Sequence, residues 1–370
     1  MNTNLNEILN KFIPGSSLSK YGAGHINDTY MVDSGDYILQ RINTSIFTKP
    51  DELMENIVKV TEFLRNKIAL RGGDPDKETL TVVKTVDGHN LYKAEDGSVY
   101  RVYRFISDVI TVDECPSLHN LYSAARGFGR FQGMLADFPA DELFDIIPDF
   151  HNTPKRFETF KAAVKEDRAG RAASVMPEIE FALSQEGYLS LVIDSMNDGS
   201  VPLRVTHNDT KINNVLFNKE TGDAQCVIDL DTVMQGSALY DFGDALRVGA
   251  STAAEDEREL SKVHFSEDAF KAFTKGYFEE MLPYLTKREI ELLPLSAKLL
   301  TFECGIRFLT DYLNGDTYFK IHREGHNLDR ARTQFCLVCD ITAKEDRLSK
   351  LVSEVFEEVS KKNAKTRKVD

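Results

Sequence analysis

The stretch that decides the fold runs from Val205 to Asp231, V-T-H-N-D-T-K-I-N-N-V-L-F-N-K-E-T-G-D-A-Q-C-V-I-D-L-D. Val215, Leu216 and Phe217 read as one short strand and Cys226, Val227 and Ile228 as a second. Gly222 and Asp223 lie in the turn between them, so the segment predicts a β-hairpin. His207, Asp209, Lys211 and Asn214 precede the first strand, and Asp229 and Asp231 follow the second. Antiparallel pairing sets those two ends side by side, which is expected to bring Asp209, Asn214 and Asp229 toward one point. The ordinary alternative is a polar surface turn rich in Asn, Asp and Thr. Four role-bearing side chains at fixed offsets, with an acid at a strand end, argue against it.

The spacing His-x-Asp-x-Lys-x-x-Asn followed by Ile-Asp fits the phosphoryl-transfer pattern. In that pattern one Asp takes a hydroxyl proton, an Asn and a second Asp hold Mg²⁺, and a Lys faces the moving phosphate. Asp209 and Lys211 are thus the expected catalytic pair and Asn214 and Asp229 the expected metal ligands. Asp231 is a neighbour that could substitute as a ligand. Asp241, in D-F-G-D-A-L-R, falls where an acid braces the catalytic loop from below, together with His207. Only nine residues separate Asp231 from Asp241 and no Ala-Pro-Glu follows. That leaves no room for a peptide-docking activation segment, so the acceptor is expected to be a small molecule.

The rest of the chain supplies the surroundings this hairpin needs. Y-G-A-G-H-I-N-D-T-Y, residues 21–30, is a Gly-rich turn entering a strand. Gly22 and Gly24 would let backbone N–H groups approach a polyphosphate, with Asn27 and Thr29 adding donors or shaping the turn. Y-I-L-Q-R-I, residues 37–42, predicts the next strand, and Arg41 stands where the phosphate-gripping Lys is expected; a guanidinium can clamp α- and β-phosphates as a fork. A helix over 51–70 offers Glu55 or Glu62 to that cation. Three strands between Thr79 and Ile106 complete a small sheet, and a hinge after Phe105 would meet adenine. Beyond it the periodicity is helical.

Composition narrows the partners. The 370 residues suffice for two lobes, expected at 1–106 and 107–370. A net charge of −14, with basic residues clustered only in the last stretch, argues against nucleic acid. No apolar run reaches the roughly 20 residues needed to cross a bilayer, and the N-terminus lacks signal-peptide character, so a cytoplasmic protein is expected. Five scattered cysteines argue against a disulfide framework, and Cys336-x-x-Cys339 in F-C-L-V-C reads as a buried helix face rather than a zinc site.

On the hairpin motif the chain resembles the aminoglycoside phosphotransferase-like family of small-molecule kinases. The resemblance implies an α+β, bilobal protein-kinase-like fold: an antiparallel N-lobe sheet with one helix, and a mainly helical C-lobe bearing the catalytic hairpin. It also implies ATP and Mg²⁺ as cofactors. Within the family, G-H-I-N-D-T-Y, Y-I-L-Q-R-I-N-T, H-N-D-T-K-I-N-N, I-D-L-D-T-V-M and E-C-G-I-R-F-L-T-D-Y-L look most like kinases that phosphorylate the anomeric hydroxyl of N-acetylglucosamine or N-acetylgalactosamine. That likeness places Asp209, Arg307 and Tyr318 at the sugar. Residue patterns alone stop at a small-molecule kinase. They leave open another small alcohol (an aminoglycoside, choline or homoserine), a nucleotide-binding pseudokinase, and a purely structural Arg307 paired with a buried acid such as Asp244.

Overall fold

The computed structural model describes residues 4–21, 27–32, 35–112 and 117–366. The chain forms two compact units, the first from residues 1–111, 134–148 and 214–235, the second from 112–133, 149–213 and 236–370.

The first unit is built on an antiparallel sheet of β1 (Leu18–Lys20), β2 (Asp28–Val32), β3 (Tyr37–Ile42), β4 (Val82–Val83), β5 (Tyr92–Lys93) and β6 (Val99–Arg104). Its order is β1-β2-β3-β6-β4, with β5 also on β6. Strand period divides its side chains between two faces. The pairs Tyr37↔Arg104, Leu39↔Val102 and Arg41↔Tyr100 share one face. There Leu39, Tyr100 and Val102 pack on Ile8 and Phe12, the first of them from α1 (Leu5–Asn10). Gln40↔Arg101 and Ile38↔Tyr103 share the other.

Helix α2 (Pro50–Leu70) starts with Pro50 in its first turn, where the missing N–H costs nothing, followed by Asp51 and Glu52 near the positive end of the dipole. Its buried stripe is Leu53, Ile57, Val60, Leu64 and Ile68. Asn56, fully buried, donates to the Phe144 and Val233 carbonyls at 2.9 and 3.0 Å and accepts from the Phe144 amide at 2.9 Å. One amide thereby ties the 134–148 segment and the post-hairpin chain to α2. After the short α3 (Pro75–Glu78), strand β7 (Val109–Ile110) pairs with β9 (Val215–Asn218), which pairs with β10 (Ala224–Val227). The hairpin, expected in the helical lobe, thus folds with the sheet-bearing unit. The contacts that carry 214–235 back to the residues before 106, among them the buried Arg101–Asp231 pair and the Asn56–Val233 bond, are the physical reason that a contiguous boundary at residue 106 gives way to a discontinuous one.

The second unit is helical: α4 (Leu118–Met134), α5 (Thr153–Glu166), α6 (Met176–Ser184), α7 (Leu191–Asn197), strand β8 (Arg204–Thr206), and, after β11 (Met234–Gly236), α8 (Ala238–Gly249), α9 (Glu267–Met281), α10 (Lys287–Leu313), α11 (His326–Ala343) and α12 (Glu345–Thr366). Several of its helices begin at capping residues. Ser237 caps α8, Ser266 caps α9, and Thr286 with Glu289 makes a reciprocal capping box on α10. Phe242 of α8 sits in the core among Phe270, Phe273 and Tyr277, with centroid distances of 6.1, 5.4 and 5.2 Å. The cysteine expectation is corrected here. On α11 Phe335, Leu337 and Val338 are buried, whereas Cys336 is half-buried and Cys339 exposed, because the apolar stripe falls on the residues between them. No helix among the described residues is long and apolar enough to cross a membrane.

Two substitutions test this packing. A Cβ on Gly243 would stand 2.3 Å from the Ser296 carbonyl, a backbone atom of α10 that cannot swing aside. Gly243→Ala should therefore cost about 1–3 kcal/mol in urea unfolding, as overpacked sites do. Gly187→Ala, which meets nothing within 4 Å, should stay within about 0.5 kcal/mol of wild type. In the first unit, Arg101 and Asp231 form a buried bidentate pair at 2.5 and 2.9 Å. Arg101→Met should cost about 3–5 kcal/mol by stranding the acid, and the double variant Arg101→Met/Asp231→Leu should recover much of that loss.

Candidate active site

The second unit holds the residues expected to form the catalytic loop. Asp241, in the first turn of α8 and 2% exposed, accepts from the His207 amide at 2.9 Å, the Asn208 amide at 2.7 Å and Gln132 Nε2 at 2.5 Å. Gln132 is itself fixed by the Tyr277 hydroxyl, which donates to its Oε1 at 2.5 Å. Burial pushes the Asp241 carboxyl above its ordinary value, and these hydrogen bonds and His207 oppose the rise. Thr210 adds a bond from its hydroxyl to the Asp241 carbonyl at 2.6 Å and one from its amide to Asp244 Oδ2 at 3.1 Å. Asp241 thus holds the backbone at His207 and Asn208.

The fan of amides on one carboxylate turns the chain sharply. Asn208 takes φ 66°, a left-handed conformation that Asn tolerates better than most residues. His207 is fully buried, edge-on to Phe128 and Phe131 at 5.8 and 6.0 Å, and its Nδ1 accepts from the Asp209 amide at 3.2 Å. Asp209 is half-buried, with Lys211 Nζ 2.8 Å from its Oδ1. Desolvation works against the Lys211 ammonium, but Asp209 outweighs it and raises the group above its usual value. Asp244 is held below the usual carboxylate range: burial would raise it, and Arg247 and Lys211 more than reverse that. Arg247 joins Asp244 at 3.2 Å and Glu255 at 2.7 Å.

Arg307 is therefore not the partner of Asp244, which Arg247 takes from one helical turn away. The Arg307 guanidinium lies over the Phe150 and Phe319 rings, 5.8 and 5.5 Å from their centroids. Among the described residues no carboxylate lies within 4.0 Å of it. Arg156 donates to the Phe150 carbonyl at 3.3 and 3.0 Å. Burial and the nearby Arg307 charge lower the Arg156 guanidinium from its ordinary value. Tyr318 is 66% exposed, and its amide, with those of Thr317 and Phe319, is pinned by the buried Asp311 carboxylate at 2.8–2.9 Å. Asp311 thus fixes the loop that presents Tyr318.

The first unit holds the expected cofactor and metal residues. The Ile228 amide donates to the Asn214 carbonyl at 2.9 Å, one step beyond the Val215↔Val227 pair, so the hairpin brings Asn214 and Asp229 to the same end. Asp229 is exposed at φ 59°, and Asn214 is buried. An amide and a carboxylate are hard oxygen donors of the kind Mg²⁺ takes when phosphates and water complete its shell, so the pair fits that ion. Asp231 is spent elsewhere: both its oxygens meet Arg101, and Oδ2 also accepts from Asn27 Nδ2 at 2.7 Å. Asn27 Oδ1 accepts from the Asn43 amide at 2.9 Å. Gln40 accepts from Arg101 at 3.0 and 2.9 Å and donates to Thr29 Oγ1 at 3.3 Å. Asn27 and Thr29 thus serve a polar chain on the Arg101 face of the sheet.

That face corrects the reading of Arg41. Sheet register sets Arg41 on the opposite face with Asp28, 3.9 Å away, and its side chain is half exposed. Neither helix acid meets it: Glu55 pairs with Lys59 at 3.1 Å and Glu62 is exposed. The cation that joins the acid beyond the hairpin is Arg101, on the strand next to Arg41's and on the opposite face of the sheet. The Phe105 amide donates to the Asp36 carbonyl at 2.7 Å, and its ring meets Tyr21 edge-on at 6.0 Å. Gly22 and Gly24 lie outside the described residues. Gln132, His151 and Glu303 escaped the sequence reading, since nothing around a lone buried polar residue marks its distant partner; Arg247 escaped too, although its place three residues after Asp244 on one helix was a local signal.

Comparison with known proteins places this geometry in context. The chain superposes on a microcompartment-associated aminopropanol kinase with a TM-score of 0.62 at 16% identity, covering 93% of this chain and 98% of that one. A choline kinase from Cryptosporidium parvum Iowa II gives 0.55 at 14% identity, over 95% and 99%. The ADP-bound aminoglycoside phosphotransferase APH(2'')-Ib gives 0.55 at 13%, over 92% and 99%. At these identities the likeness is one of fold, and it is a kinase-like fold. In sequence, a Caenorhabditis elegans protein described as the uncharacterized kinase-like protein D1044.1 is 27% identical over 173 residues, 43% of this chain and 44% of that protein's length. The model of the phosphotransferase enzyme family, APH, matches residues 17–273, well over half of the sequence and the whole of the hairpin region, and the chain belongs to that family.

Proposed function

We propose that this chain transfers the γ-phosphoryl group of ATP to the anomeric hydroxyl of an N-acetylhexosamine, giving the sugar 1-phosphate. The observation that carries the transfer reaction is the Asp209–Lys211 pair at 2.8 Å on a loop whose successive amides are gripped by one buried carboxylate. The hydroxyl oxygen forms a bond to the γ-phosphorus, the bond to the β–γ bridging oxygen breaks, ADP leaves, and the hydroxyl proton passes to Asp209. In a loose transition state that proton moves late, so an ordinary carboxylate serves as the base. Lys211 holds Asp209 in place and offsets negative charge at the transferring group. Asn214 and Asp229 would hold Mg²⁺, which when bound neutralises phosphate charge.

The sugar is supported by sequence likeness and by chemistry around Arg307. A guanidinium with no carboxylate within 4.0 Å among the described residues offers several N–H donors to hydroxyl and acetamido oxygens, and the exposed Tyr318 offers a flat face and a hydroxyl. The fold relatives that act on aminopropanol or choline favour a second reading, an amino alcohol. Arg156 and Arg307 oppose it, because an ammonium would meet two guanidiniums and like charges repel at short range.

An ATP-consumption assay with N-acetylglucosamine, N-acetylgalactosamine, glucose, choline, aminopropanol and kanamycin decides among these. Turnover with the N-acetylhexosamines and not the amines is the expected result; turnover with choline or aminopropanol alone overturns the sugar assignment. Asp209→Asn should lower kcat by roughly 10²–10⁴-fold and leave ATP affinity near wild type, and an unchanged kcat removes Asp209 as base. Arg307→Ala should lower kcat/KM for the sugar while sparing KM for ATP and the melting temperature. A variant that melts lower with intact sugar kinetics makes Arg307 scaffold.

A further inference from the structure

Outside the residues used above, the most unusual buried polar group of the second unit is a histidine set against a glutamate. His151 is 8% exposed and Glu303, on α10, is 1% exposed. His151 Nδ1 lies 2.9 Å from Glu303 Oε1, and the other Glu303 oxygen accepts from the Thr153 hydroxyl at 2.6 Å. The second ring nitrogen, Nε2, lies 3.4 Å from the carbonyl oxygen of Asn208. Tyr240 and Phe150 pack on the ring at 5.2 and 4.7 Å.

Both groups facing the ring are acceptors. A ring between a carboxylate and a carbonyl satisfies both only with a proton on each nitrogen. Burial works to raise the Glu303 carboxyl, and His151, with Arg307 and the Thr153 hydroxyl, outweighs it and holds the acid below its usual range. The carbonyl at the far end of this chain belongs to the peptide joining Asn208 to Asp209. The N–H of that same peptide donates to His207 Nδ1 at 3.2 Å. A peptide is planar, so contacts at its opposite edges fix its rotation and with it the direction in which Asp209 leaves the backbone.

We propose that His151, carrying a proton on each ring nitrogen and anchored by Glu303, is a positioning residue that orients Asp209 through the Asn208 carbonyl. It touches neither acceptor nor nucleotide in this role. The consequence for transfer rests on Asp209 being the base, as proposed above; the grip on the loop does not.

Two substitutions separate the two contacts. The amide nitrogen of Asn falls near the ring Nδ1 position and that of Gln near Nε2. His151→Asn therefore keeps the bond to Glu303 and drops the loop, while His151→Gln keeps the loop and drops Glu303. Amide hydrogen exchange should rise about tenfold or more at Asn208–Thr210 in His151→Asn and stay near wild type in His151→Gln. With the acceptor found by the panel, kcat should fall roughly 10- to 100-fold in His151→Asn, as for a small misplacement of a reacting group, with KM for ATP unchanged. His151→Gln should remain within a few-fold. Wild-type exchange and kcat in His151→Asn, or equal damage in both variants, overturns the proposal. Raised exchange with unchanged kcat leaves the grip on the loop but overturns its role in orienting Asp209, whereas failure of Asp209 as base is read from Asp209→Asn, so the two readings fail separately. Should neither variant fold, ring ¹H–¹⁵N spectra of the wild-type protein decide: protons on both nitrogens of His151 support the proposal, and one bare nitrogen overturns it.

Discussion

The structure around the catalytic loop depends on a single buried carboxylate. Removing Asp241 from water would cost several kcal/mol if its lone pairs were idle, and the chain answers with N–H donors from two successive backbone amides and from Gln132. That solution dictates geometry. Two adjacent amides can converge on one carboxylate only if the backbone turns between them, which is why Asn208 sits at φ 66°. Asp241 is in turn placed by α8, whose first turn is capped by Ser237 and whose body is pressed onto α10 where Gly243 meets the Ser296 carbonyl. A packing contact without polar chemistry thus sets the position of the acid that sets the loop.

Legibility in the sequence followed the distance over which each constraint acts. The hairpin was legible because its evidence is local: two apolar triplets, a Gly-Asp turn, and polar residues at both ends. Asn214 and Asp229 fall side by side for the same reason, since pairing register over a few residues is fixed by the strands themselves. Arg41 shows where local evidence ends. Its place in the order of motifs suggested the cation of the nucleotide side, but face is decided by register between strands far apart in the chain. Pairing Gln40 with Arg101 puts Arg101, not Arg41, on the side of Asp231. The hairpin's membership of the sheet-bearing unit escaped for a similar reason, because the pair that ties it there joins Arg101 to Asp231 across more than a hundred residues, and nothing local to either announces the other.

The polar interior of the second unit teaches the same lesson with the opposite result. Arg307 was legible as a polar residue in an apolar helix, but its partner was not. Asp244 looked available until the helical spacing of Arg247 is considered, which places a guanidinium three residues on and within 3.2 Å. With Asp244 taken, Arg307 is left to two aromatic faces. His151 carried no signal at all, for a lone histidine before a helix cap reads as a surface residue until Glu303 is seen 2.9 Å away.

Glu303 and Arg307 stand one turn apart on α10, and this spacing links the two halves of the second unit's chemistry. The acid reaches back through His151 to the catalytic loop, while the cation faces the aromatic rings beside Tyr318. A chain with a net charge of −14 nevertheless keeps Arg156 and Arg307 close enough for one to lower the other's guanidinium. The buried Glu303 carboxylate offsets part of this crowding, since it favours the charged form of Arg156 and is itself held low by Arg307. A polar acceptor rich in oxygen relieves that repulsion by supplying lone pairs to both guanidiniums, whereas a cationic one would deepen it. This charge pattern around Arg307 is the electrostatic argument behind the proposed neutral, polyhydroxylated acceptor.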